Sequence, residues 1–280
     1  MIGDSVARYQ YLNLAHYLAT SEWFSPYPVN ENELQHGSLA ACSTCSWPTF
    51  YRTTSARMRG HEECDCFRPS GRNFVNRTKE NRYYHDVVAD VRLSFVLQYG
   101  PNHLVSVHGM KMIGTQVWIQ LACRWSPNVI IVQTARWWGR WRHEGISVEE
   151  LVEARALIYN CTRGKTALFW RTTTPGREWY HNTRNETNLR RAMGADFVID
   201  MQPLIWFFKN NTHDLFWDHT HLQPFVNVAM NQMIVFQLFG VSVLHDSKDS
   251  GEDCHATSIS KLTDLVMIQD WPQLPRPPKG

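Results

Sequence analysis

The sequence predicts an α/β fold, a three-layer αβα sandwich with a mainly parallel sheet. Three observations predict it. Short apolar runs rich in β-branched residues alternate with helical stretches, the rhythm of a parallel sheet covered on both faces. With 280 residues, 43% of them hydrophobic, the chain can bury a full core in one domain. Residues with reactive chemistry collect where the predicted strands end, which is where open α/β sheets hold their sites.

The elements follow in order. Gly3-Asp4-Ser5 stands directly before a helical stretch, residues 6–20, in which Val6, Tyr9, Leu12 and His16/Tyr17 recur at helical spacing. Residues 21–86 carry Pro26, Pro28, Pro48 and Pro69 with four clustered cysteines, and read as a loop-rich, Cys-rich insertion. Alternation in Val91, Leu93, Phe95 and Leu97 predicts a strand that ends at Gly100-Pro101. Residues 103–108 read as a short extended piece and 111–124 as a helix, broken by Pro127-Asn128. Val129-Ile130-Ile131-Val132 is a buried strand by composition. Ser147 with Glu150 forms a capping box for the next helix, whose apolar face is Leu151, Ala154, Leu157 and Ile158. A strand over 165–171 leads into Thr172–Gly176, a helix covers 186–194, and Phe197-Val198-Ile199-Asp200 is a further strand. The segment 203–222 is irregular. Pro224 suits the first turn of a long helix reaching about 239. A single domain over 1–245 and a polar, Pro-rich tail over 246–280 result.

Composition narrows the function classes. The net charge is +2 with both signs interspersed, which argues against a nucleic-acid footprint. No apolar run is long enough to span a membrane. Sequons at Asn76, Asn160, Asn185 and Asn210 favour passage through a secretory lumen. Of seven cysteines, Cys42, Cys45, Cys64 and Cys66 cluster; in an oxidising lumen they read as disulfide formers, with one thiol of the seven left over. Their spacing, Cys-x-x-Cys then Cys-x-Cys, is poor for zinc, so no metal is expected. Twelve tryptophans either line a sugar-binding groove or fill the core.

The chemistry centres on Ser5. A serine ahead of a helix is either its N-cap or a nucleophile on a tight turn at the positive helix end. The second cluster, Trp217-Asp218-His219-Thr220-His221, favours the nucleophile, because a serine needs a base and histidine accepts a proton near neutral pH. Asp218 and His221 are three residues apart and can share one turn; the carboxylate would fix the imidazole tautomer. Alternatively Asp218 caps the following turn and His221 is a surface histidine. His213, Asp214 and His219 are competing partners.

These residues resemble a family. Gly3-Asp4-Ser5 with Arg8 and Gln10, together with Asp218-x-x-His221, look like the SGNH/GDSL-like hydrolases. More narrowly they resemble the PC-esterase branch, with its trichome-birefringence-like polysaccharide O-acetyltransferases and sialate O-acetyltransferases. Val129 to Trp138 resembles that branch's apolar strand running into Asn-Thr-Gly-His-Trp-Trp; Phe169 to Pro175 resembles its Phe-Arg-Thr-x-Ser-Pro block; Cys64-Asp65-Cys66-Phe67-Arg68 is similar to a cysteine block of algal and fungal members.

The resemblance implies an SGNH/flavodoxin-like sheet, with Ser5 as nucleophile, His221 as base and Asp218 as its orienter. Gly3 and Asp4 would shape the nucleophile turn, the Ser5 N–H would contribute to the oxyanion hole, and Arg8 and Arg171 would anchor substrate or structure. Ala135-Arg136 replaces the branch's Gly-His, which puts a positive charge beside the site. No Gly-x-Asn-Asp segment supplies the usual asparagine donor. Only Met1 and Ile2 precede Gly3, so the first strand is expected to be missing through truncation, together with any upstream signal or anchor. The implied activity is transfer or hydrolysis of an acyl group, usually acetyl, on a glycan or polysaccharide hydroxyl in the Golgi lumen or outside the cell. It needs no cofactor beyond a donor such as acetyl-CoA if it is a transferase. The alternative is a catalytically inactive glycan-binding protein of the same fold.

Overall fold

The computed structural model describes residues 1–23, 54–67, 78–134, 145–174, 183–205 and 221–250, with backbone alone for 183–185 and 239–250. The chain divides into two compact units, Met1–Asn231 and Gln232–Gly280. Of the second, the helix is described as far as Ser250, with side chains to residue 238.

The first unit is α/β, built on a seven-stranded, mainly parallel mixed sheet. Its strands are β1 (Ile2–Gly3), β2 (Glu62–Phe67), β3 (Lys79–Asp86), β4 (Val91–Leu97), β7 (Val129–Gln133), β8 (Ala167–Arg171) and β9 (Val198–Ile199), while β5 (Val105–Val107) and β6 (Met110–Met112) form a separate hairpin. The spatial order is β2-β3-β4-β1-β7-β8-β9. β1 runs parallel to both β4 and β7, and the parallel run continues through β8 to β9. β3 and β2 extend the other edge antiparallel.

The longer helices among the described residues are α1 (Ser5–Thr20), α2 (Gln116–Trp125), α3 (Val148–Thr162), α4 (Thr183–Met193) and α5 (Pro224–Ser250). Strand alternation sends side chains to two separate cores. Val96 joins Ile2, Val132 and Trp170 against α2, α3 and α4. Its neighbours Phe95 and Leu97 join Tyr9, Leu12 and Ala15 of α1. Helices therefore cover both faces, an arrangement compatible with three layers. The predicted capping box of α3 forms in full: Ser147 Oγ accepts from Glu150 N at 3.1 Å and Glu150 Oε2 accepts from Ser147 N at 2.7 Å.

Three expectations are corrected. The first strand is present, two residues long, and occupies the central slot between β4 and β7. Residues 21–86 are not all loop, because β2 and β3 lie within them. Lys79–Asp86 has too many charges to read as a buried strand, yet Glu80 and Arg82 are buried because they neutralise one another. The first residues of the helix expected over 111–124 belong to β6, and α2 starts only at Gln116. The expected disulfides are present in part: Cys64 and Cys66 are at disulfide distance within β2, and outside the cluster a second pair joins Cys123 at the end of α2 to Cys161 at the end of α3. Cys42 and Cys45 lie outside the described residues. Trp118 and Trp170 are fully buried core residues, while Trp125 is 38% exposed and packs edge-on against Tyr83 and His108.

Candidate active site

The site forms where β1 passes into α1. Gly3 is hydrogen-bonded on this central strand, its carbonyl accepting from Gln98 N at 2.7 Å. α1 turns back so tightly that a Cβ on Gly3 would stand 2.5 Å from Gln133 O and 2.7 Å from Ala7 Cβ, so only glycine fits. Asp4 is the N-cap: its backbone is extended and its Oδ1 accepts from Val6 N at 2.8 Å. Its Oδ2 accepts from Gln133 Nε2 at 3.4 Å, which ties the cap to the end of β7. β1 stands where chain order reverses in the sheet, with later strands on both sides, the position at which open α/β sheets leave a crevice.

Because Asp4 does the capping, Ser5 is the first residue of the helix and its hydroxyl is free for another partner. That partner is His221, whose Nε2 lies 2.8 Å from Ser5 Oγ across 216 positions of sequence. In the imidazole tautomer protonated at Nδ1, the hydroxyl donates to Nε2. Tyr9, one turn along α1 and buried, packs edge-on against the His221 ring, with centroids 4.9 Å apart and planes at 86°. The Ser5 N–H belongs to the first turn of α1, where the helix itself supplies no acceptor and the dipole is positive. The arrangement thus brings together a hydroxyl, an imidazole nitrogen able to accept its proton, and a backbone donor at the positive end of α1.

Arg8 lies over the Tyr9 ring, 4.5 Å from its centroid, and carries an ion chain. Its Nη1 donates to Glu80 Oε2 at 3.1 Å, Arg82 Nε donates to Glu80 Oε1 at 2.7 Å, and Arg82 Nη1 donates to Glu62 Oε1 at 2.7 Å. All four side chains are almost fully buried, so this ion chain fastens α1 to β3 and β2. Burial works against the charged Arg8, but Tyr9 and Glu80 outweigh it and its pKa is raised. Burial likewise pushes the Glu80 carboxyl up, but Arg8 and Arg82 together pull it below the usual carboxylate range. Glu62 has Arg82 as its facing cation, and there burial wins and the pKa rises.

Arg171 is fully buried at the end of β8. The loop that follows it is held by Thr172 Oγ1, which donates to Asp200 Oδ1 at 3.1 Å, and by Thr173 N, which donates to Glu186 Oε1 at 2.6 Å. Asp218, Ala135 and Arg136 lie outside the described residues, as do Asn76 and Asn210. Asn160 is exposed on α3, and Asn185 lies on α4 with its backbone alone described. Among the described residues no group of three or more His, Cys, Asp or Glu side chains is arranged to hold a metal ion.

Sequence reasoning missed Tyr9 as a wall of the histidine site and Asn231 as an anchor of α5. The signal for the second was present: Asn227 and Asn231 sit four apart on a helix whose neighbouring Val226 and Met230 are core residues. Compared with protein-family models, curated proteins and solved structures, the chain matches none.

Proposed function

We propose that the chain is a serine-dependent acyl-transfer enzyme of the SGNH/GDSL-like kind, an esterase or O-acetyltransferase acting on a glycan hydroxyl. The observation that carries this reading is the 2.8 Å contact between Ser5 Oγ and His221 Nε2 at the end of the central strand, with capping delegated to Asp4. A surface histidine and a capping serine would have no reason to meet there.

The chemistry follows from the pair. His221 Nε2 takes the Ser5 hydroxyl proton as Oγ bonds to the acyl carbonyl carbon. Negative charge moves to the carbonyl oxygen, where the Ser5 N–H and the positive end of α1 stabilise it. Collapse breaks the bond to the leaving group, which receives the proton from His221, and an acyl-serine remains. Water or a sugar hydroxyl then attacks the acyl carbon, returns its proton through His221 and frees Ser5. Esterase and transferase differ only in that second acceptor. By the family resemblance Asp218 orients His221, and acetyl is the group carried. The Cys123–Cys161 pair suits an oxidising lumen or the cell exterior, and no described helix is long and apolar enough to cross a membrane.

The test is labelling with a fluorophosphonate probe, read by peptide mass spectrometry. Wild-type protein should carry the label on Ser5, and His221→Ala should label roughly 10⁴-fold more slowly. A folded wild type without label on Ser5 would sink the enzyme reading and leave the glycan-binding alternative.

A further inference from the structure

A seam of buried amides joins α1 to the start of α5. Asn231 Nδ2 donates to the main-chain oxygen of Gln10 at 2.9 Å and to Asn13 Oδ1 at 3.0 Å. Gln10 and Asn231 are 0% exposed and Asn13 is 1% exposed. One turn nearer the site, Asn227 Nδ2 donates to Leu222 O at 3.3 Å and Gln223 O at 3.4 Å, in the short link that also carries His221.

The seam is only half satisfied. Both polar atoms of the Gln10 side-chain amide, and Asn231 Oδ1, are buried without a hydrogen-bond partner among the described residues. Amides with orphaned buried atoms stabilise less than apolar side chains of similar volume, so stability alone does not account for a seam built of them. A buried amide does something leucine does not: it selects one register. A leucine contact tolerates a slide or rotation of one helix on another, whereas an amide reaching a single carbonyl does not, and the selection costs stability. A slip of one residue moves a helix end by about 1.5 Å. That is enough to break the contact between His221, three residues ahead of α5, and Ser5 Oγ.

We propose that Asn231 is a positioning residue: by locking the start of α5 onto α1, it holds His221 Nε2 on Ser5 Oγ. Its catalytic meaning rests on the acyl-transfer reading above; its geometric meaning does not.

The test is a double-mutant comparison on the full chain, uniformly labelled at histidine nitrogen. The His221 Nε2 NMR signal is measured for wild type, Ser5→Ala, Asn231→Leu and the double variant. Ser5→Ala should shift the signal in the wild-type background and leave it nearly unmoved in the Asn231→Leu background. Ser5 labelling of Asn231→Leu should slow roughly 10²-fold, beyond what any fall in its urea midpoint explains. A purely structural asparagine would lower the midpoint and leave the Ser5→Ala shift the same in both backgrounds. An equal shift in both backgrounds overturns the proposal, as does the absence of any Ser5→Ala shift in the wild-type background. If Asn231→Leu does not fold, Asn231→Ala removes the donor without adding bulk and takes its place; failure of both to fold assigns the seam to stability and overturns the proposal. A wild type that shows the shift yet takes no label refutes acyl transfer and leaves the positioning role standing.

Discussion

At the scale of single residues, three consecutive positions divide the labour of the turn. Gly3 permits it, because the space for a Cβ is taken by the Gln133 carbonyl and by Ala7. Neither neighbour is the far end of a flexible side chain, so Gly3→Ala must push α1 away from β7. A loss of about 1–3 kcal/mol in urea unfolding is expected, with slower labelling of Ser5. Asp4 caps the helix and thereby releases Ser5. Asp4→Ala should cost about 1 kcal/mol in thermal unfolding. Asp4→Asn, which keeps an oxygen for Val6 N, should stay close to wild type. If the two variants lose equal stability, the capping role of Asp4 is wrong.

At the scale of elements, the ion chain from Arg8 through Glu80 and Arg82 to Glu62 fastens α1 to the antiparallel edge. Its two carboxylates respond to pH in opposite senses. Glu80 has a lowered pKa in the fold, so its contribution is present above the unfolded value and lost as pH falls through the folded one. Glu62 has a raised pKa, so its contribution is present below the unfolded value and lost as pH rises through the folded one. Glu80→Gln at pH 7 leaves two buried arginines facing a neutral amide and should cost about 3–5 kcal/mol. Glu62→Gln should cost less, since Arg82 keeps Glu80. Urea midpoints of both variants at pH 7 and pH 4 check the order and the sign; only Glu80→Gln should flatten the acid loss of stability.

At the scale of the whole molecule, the Cys123–Cys161 pair ties the C-terminal ends of two helices that cover the same face of the sheet. It closes 38 positions of sequence, and the loop-entropy relation assigns such a closure about 4 kcal/mol. Cys161→Ser should lower the unfolding midpoint under non-reducing conditions by a corresponding amount, and reductant should then change that variant less than wild type. Peptide mapping should recover the two pairs joined as Cys64–Cys66 and Cys123–Cys161. Free thiols at 123 and 161 in protein secreted from cells would contradict the pairing.

The sequence by itself determined what local signals decide. α1, α3, β4, β7, β8 and the proline start of α5 were all legible, because periodicity, a capping box and a β-branched run act over a few residues. It also singled out Ser5 and His221 as candidates. It left open whether Ser5 caps or reacts, since Asp4 and Ser5 are both good caps and only the backbone turn at Gly3 selects between them. The tertiary structure gave the cap to Asp4, and it fixed the strand order and the helix seam. It also decided the fate of β3, whose charges look solvated until Arg8 and Glu62 arrive from elsewhere in the chain to neutralise them. The physical reason is the same in each case: pairing over 72 positions in Arg8–Glu80, or 216 in Ser5–His221, depends on which surfaces pack, and no local pattern encodes that.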